Sequence, residues 1–162
     1  MISNKMQDAI NRQINKELFS SYLYLSMVAY FEDKNLPGVA HWLRLQADEE
    51  KEHAMKFFDY LLERGARVKL TALETPKFEW SSNLEAFKEV LAHEQMITAS
   101  INELYGLALE EKDYPSQILL QWFVTEQVEE EASASEVLAQ LEMIEDKGTA
   151  VLMLDKELGK RV

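Results

Sequence analysis

The chain has 162 residues, 29 acidic against 17 basic, a net charge of −12 and no cysteine. That length suits one domain with its own core; the negative field repels nucleic acid and anionic lipid while concentrating cations, and neither disulfides nor thiolate metal sites are available. No apolar run approaches the roughly 18 residues of a membrane span, and the opening stretch, with Lys5, Asp8, Arg12, Lys16 and Glu17, does not suit a secretion signal, so a soluble, cytoplasmic protein is expected.

Glycine and proline punctuate long periodic stretches. The spacing predicts helices over about 4–34, 37–64, 83–112 and 115–146, with a short fifth over 149–158. Pro37 and Pro115 suit the first turn of a helix, where no backbone N–H is required. Ser82 and Glu85 have capping-box spacing, and Gly65 and Gly159 stand where left-handed C-cap residues belong. Short connections make antiparallel hairpins of helices one and two and of three and four. Residues 65–82 are long enough to run the length of the bundle. The expected fold is all-α: a single ferritin-like four-helix bundle over 1–162 with one long crossover and a short C-terminal fifth helix. A cytokine-like bundle would need two long crossovers.

Written in heptads, each long helix carries acid in its apolar stripe. Helix one aligns Ile10, Ile14, Glu17, Ser21, Tyr24, Val28 and Phe31. Helix two sets Glu50 and His53, one turn apart, among Leu43, Ala47, Ala54, Phe57 and Leu61. Helix three places Glu94 in a row with Phe87, Val90, Ile97, Ile101, Leu104 and Ala108. Helix four interrupts Leu120, Phe123, Ala134, Val137, Leu141 and Ile144 with Gln127 and Glu130.

One buried carboxylate can reach the rim or pair with a base, but four converging ones repel, and none of these stripes holds Lys or Arg. Divalent cations are the remaining partner. Oxygen ligands with one imidazole suit Fe(II) or Mn(II) better than structural zinc. Two M(II) ions balance Glu17, Glu50, Glu94 and Glu130, and so do two Fe(III) with a bridging oxide. Glu50-x-x-His53 is a weak motif alone and a strong one at matching depth with the other three acids. His41 and His93 lie off the stripes and are expected at the surface or in support, and Trp122 in packing.

On these residues the whole chain resembles the bacterial and archaeal non-haem ferritins. The resemblance implies a ferroxidase centre in which Glu17, Glu50 and His53 hold one iron. Glu50 bridges to a second, joined by Glu94, Gln127 and Glu130, with Tyr24 beside the pair. Glu49, Glu126, Glu129 and Glu130 correspond to a third, looser iron position. The implied activity is oxidation of Fe(II) by O2, with Fe(III) stored as mineral inside a homo-oligomeric shell of twenty-four subunits; the fifth helix would pack at the four-fold axis. Bacterioferritins carry a second Glu-x-x-His where this chain has Gln127-x-x-Glu130, and their haem-ligating methionine has no counterpart, so no haem is expected. The acidic pair of animal three-fold channels corresponds to Gln117 and Leu120, leaving a path through the subunit as an alternative entry. Two rivals remain: a di-iron or di-manganese oxidoreductase without a storage role, and a structural bundle without metal.

Overall fold

In the computed structural model, which describes residues 1–145 and 147–162, five helices follow in order: α1 (Asn4–Asp33), α2 (Pro37–Glu63), α3 (Asn83–Glu110), α4 (Tyr114–Ile144) and α5 (Gly148–Leu158). The expected end of helix four at 146 lies outside the described residues, and α4 closes at Ile144. Ser3 Oγ accepts from the Met6 amide to start α1, Ser82 Oγ accepts from the Glu85 amide to start α3, and Asp113 Oδ1 accepts from the Ser116 amide to start α4. The capping box at α3 is only half formed. The Glu85 carboxylate accepts from the Ser81 amide at 2.8 Å, one residue before the expected donor.

Gly65 takes the left-handed conformation expected of it, with φ of 67°, whereas Gly159 remains right-handed at φ −67°. Proximity explains Gly159: a Cβ there would stand 3.2 Å from the Cα of Gly38. The two glycines let α5 press against the start of α2. That start has no side-chain cap of its own, and Asp155 supplies one across the molecule, its Oδ1 accepting from the Val39 amide at 2.8 Å. A carboxylate there also complements the positive end of the helix dipole.

Residues 65–82 run the length of α1. A polar row on that helix holds the backbone: Gln7 accepts from the Arg67 amide, Asn11 accepts from the Lys69 amide at 2.7 Å, and Asn15 donates to the Ala72 carbonyl. Near the far end, Ser26 and Tyr30 donate to the carbonyls of Lys77 and Trp80. The crossover is therefore the single long one that sets this topology apart from a cytokine-like bundle.

The apolar core is in two parts. One cluster gathers Phe31, Leu43, Phe87 and Leu141 toward the α1–α2 turn; the other gathers Ile10, Phe57, Ile101 and Phe123 at the opposite end. Between them lies a polar layer in which Glu17, Glu50, Glu94 and Glu130 are all buried. The heptad stripes thus face inward as the sequence implies, with Ser21 and Ile144 only half-buried.

The α5 latch is testable. A methyl at Gly38 would stand 1.7 Å from the Asp155 carbonyl oxygen. Gly38→Ala should therefore lift α5 away, lowering amide protection across 148–158 in hydrogen exchange while far-UV ellipticity of the bundle persists. Asp155→Ala, which removes only the cap, should cost about 1 kcal/mol in denaturant unfolding.

Candidate metal centre

Each hairpin contributes two helices to the polar layer, so all four place a carboxylate at one depth. Glu17, Glu50 and His53 bring ligand atoms within 4.8 Å of one another, as do Glu50, Glu94 and Glu130, and His53, Glu126 and Glu130. Glu50 belongs to two of these groups and His53 to two. The imidazole Nδ1 faces Glu50 at 3.4 Å and its Nε2 faces Glu126 at 3.7 Å.

Hydrogen bonding divides the layer. Glu17 Oε1 accepts from Gln13 Nε2 at 2.8 Å, but Glu17 Oε2, both Glu50 oxygens and His53 Nδ1 are buried without a hydrogen-bond partner. An orphaned buried carboxylate oxygen is costly, and three of them beside an unbonded imidazole nitrogen, on residues whose ligand atoms converge within 4.8 Å, describe a site shaped for a cation. Glu94 is different: Oε1 accepts from the Tyr24 hydroxyl and Oε2 from Gln127 Nε2 at 3.2 Å. Glu130 Oε2 accepts from Gln46 Nε2 at 2.7 Å.

Burial dominates the electrostatics. Loss of hydration raises the pKa of Glu17 and, more strongly, of Glu50, with the charges of Glu94, Glu17 and Glu130 adding to the rise at Glu50. Glu94 is pushed up to about 7 and Glu130 to about 8, in both cases mainly by burial. Tyr24 is raised well above its ordinary value by burial and then by Glu94, so its phenol keeps the proton it donates. Burial lowers the His53 pKa, favouring the neutral imidazole that a metal ligand requires.

The outer acids behave otherwise. Glu126 approaches His53 and Glu130, whereas Glu129 is exposed and joins no such group among the described residues. Glu49 turns away toward the C-terminus, where Arg161 Nη2 donates to both of its oxygens at 3.1 and 2.9 Å. His93, expected at the surface or in support, is buried against α1 with Nε2 2.7 Å from Ser20 Oγ and its ring edge-on to Tyr24. Trp122 packs its ring on His53 and Phe123, as expected of a packing residue, under the ammonium of Lys56. Leu120 is wholly buried in the core, so the correspondence that would put it in a surface channel does not hold.

Sequence inspection passed over Gln13 and Gln46. Both stand four residues before a central glutamate, Glu17 and Glu50, one turn along a stripe where an amide serves no packing purpose. That repeated Gln-x-x-x-Glu on the first two helices was the available signal.

Four helices, one long crossover and carboxylates from every helix with a Glu-x-x-His define a ferritin-like carboxylate bundle. The Ferritin-like domain family matches residues 7–144. A bacterial non-heme ferritin of Bacteroides fragilis is 40% identical over 99% of this chain and 100% of its own length, and one of Staphylococcus aureus is 38% identical over 99% and 97%. An open pore ferritin from the hyperthermophilic archaeon Archaeoglobus fulgidus superimposes with a TM-score of 0.99 at 51% identity, covering 100% of both chains. The chain belongs to the ferritin family. Among its described residues no helix is long and apolar enough to cross a membrane.

The raised carboxyls make the metal-free fold sensitive to pH. The ordinary value of both is 4.5, and the folded values are about 7 for Glu94 and about 8 for Glu130. Stability carried by their protonated forms is full below pH 4.5 and is lost as pH rises through 7 to 8. Glu94→Gln with Glu130→Gln removes that loss. Calorimetry in chelator should show the apo variant melting at or above wild type at pH 8, with its relative advantage shrinking toward pH 5. A melting point far below wild type at pH 8 would make the two acids structural.

Proposed function

We propose that this protein is an iron-storage ferritin whose centre oxidises Fe(II) with O2 and passes Fe(III) to a mineral inside a shell of identical subunits. The observation that carries this is the set of buried, unpartnered atoms on Glu17, Glu50 and His53. Fe(II) is the substrate and each of two ions gives one electron to O2. The residues supply charge, position and a water-poor setting. Four carboxylates neutralise two divalent ions, so binding displaces the protons that burial holds on Glu94 and Glu130.

Glu17, Glu50 and His53 would take the first ion, and Glu50, with both oxygens unpartnered, would bridge. Glu94 and Glu130 would take the second. Gln127 spends its N–H on Glu94, which leaves the amide oxygen to offer. Tyr24 fixes one Glu94 oxygen. A third ion would sit farther out, among Glu126, Glu130, Glu49 and Glu129. The family and the names of the relatives support storage over the di-iron or di-manganese oxidoreductase.

Glu50→Ala should lower the initial rate of O2 consumption on Fe(II) addition by about a hundredfold or more. It should leave an assembly of about 450 kDa, twenty-four copies of an 18.8 kDa chain, intact by size exclusion. A wild-type rate in that variant refutes the centre. A small wild-type oligomer that oxidises iron but retains no mineral points to the oxidoreductase.

The two positions are prepared unequally. The first offers orphaned atoms, while the second offers carboxylates already engaged by Tyr24, Gln127 and Gln46. Zn(II) titration of the apo-protein should therefore show a tighter and a weaker equivalent. Gln127→Glu, which adds a hard anionic ligand, should tighten the weaker one selectively. Equal affinities in wild type would refute the asymmetry.

A further inference from the structure

Beyond α5 follow Gly159, Lys160 and Arg161, and Arg161 folds back onto Gln46 and Glu49 at the centre's outer side. Its Nη2 grips both Glu49 oxygens, and Nη1 donates to Gln46 Oε1 at 2.6 Å. The guanidinium lies over the Trp42 ring, 4.9 Å from its centroid, and the Arg161 carbonyl lies 2.7 Å from His41 Nε2. Gln46 passes its own N–H to Glu130. One guanidinium therefore reaches Glu49 directly and Glu130 through a single amide.

Three features make this a built contact. One guanidinium nitrogen spans both Glu49 oxygens while the other holds Gln46, and hydrogen bonds between charged partners are stronger than neutral ones. The arginine is seated by an aromatic ring against its guanidinium and by its own backbone carbonyl on His41. The helix before it is latched by Asp155 on the Val39 amide. Yet Glu49 and Arg161 both keep solvent contact, their side chains 41% and 24% exposed, and an ion pair so placed is modest in strength. A guanidinium held this way can be displaced by a divalent cation.

We propose that Arg161 is a tethered cation occupying the outer acidic position. It competes with a third metal ion for Glu49 and, through Gln46, keeps Glu130 turned toward the inner pair. The proposal rests on the di-metal reading above. Its consequence is that Arg161 in this place limits the centre to the two inner ions, and a third enters only as Arg161 leaves.

Zn(II) counted against assembled apo-protein at neutral pH and low ionic strength tests this. Wild type should hold two equivalents per subunit, one tighter than the other, Arg161→Gln three, and Arg161→Gln with Glu49→Gln two again. Equal counts in wild type and Arg161→Gln overturn the proposal, as does a third equivalent that survives loss of Glu49. A wild-type count that Glu50→Ala leaves unchanged overturns the di-metal reading instead. Should Arg161→Gln fail to assemble, wild type alone decides. Phenylglyoxal modification of Arg161, followed by mass spectrometry, should quicken several-fold when zinc exceeds two equivalents. A rate indifferent to that excess overturns the proposal.

Discussion

Four carboxylates buried at one level of a helical bundle, with no lysine or arginine in the stripes that carry them, constrain everything around them. Each charge would cost several kcal/mol to desolvate, and together they repel. The metal-free fold meets this partly by keeping protons on the acids, as the high values for Glu94 and Glu130 express. It also confines the polar layer between two apolar clusters that supply most of the burial. The stacked rings of Phe57 and Phe123, 4.0 Å apart, brace α2 against α4 below the layer. Phe31 and Phe87 pack α1 against α3 above it. A layer that weakens the core thus sits where rigid aromatic packing on either side holds the backbones in place.

Much of this was legible before any coordinates. Helix existence follows from apolar periodicity, and Glu17, Glu50, Glu94 and Glu130 stand out because each breaks a stripe that is otherwise apolar. The crossover was legible by length, and its path could have been read from Gln7, Asn11 and Asn15, amides every fourth residue on the face of α1 that meets it. What escaped was non-local. Asp155 caps a helix whose first residue lies more than a hundred positions earlier, and Gly159 is small because of Gly38 rather than because of a turn. Local rules of capping assign such residues to the nearest helix end, which is why Gly159 was expected to be left-handed. Glu49, expected at a third iron position, has its ion pair hidden for the same reason: nothing near it in sequence foretells that Arg161 will arrive.

The helix-four stripe shows how one residue type can serve two purposes. Gln127 interrupts the row as the acids do, but its amide donates to the Glu94 carboxylate and backbone carbonyl and to the Thr98 hydroxyl. It therefore ties α4 to α3 at the level where the charges converge. A carboxylate at 127 could not donate, and Glu94 would then lose one of the two donors that hold its oxygens. The asymmetry of the centre is in this sense a packing property of the α3–α4 hairpin as much as a property of the ligands.

Two chains of contacts show how basic residues are kept at a useful distance. Lys16 donates to Ser100, Ser100 to Gln13, and Gln13 to Glu17. Arg161 donates to Gln46, and Gln46 to Glu130. In both, an amide stands between the cation and the central carboxylate. At an effective dielectric of about 20, a unit charge 4 Å from a carboxylate contributes about 4 kcal/mol, and doubling the distance halves that. A lysine or arginine in direct contact would neutralise the acid permanently and fill the place otherwise open to a mobile cation. An amide donor orients the carboxylate without cancelling its charge, while the cation one or two groups out eases the repulsion among four acids. The buried centre can then remain anionic enough to attract a cation and still belong to a folded protein.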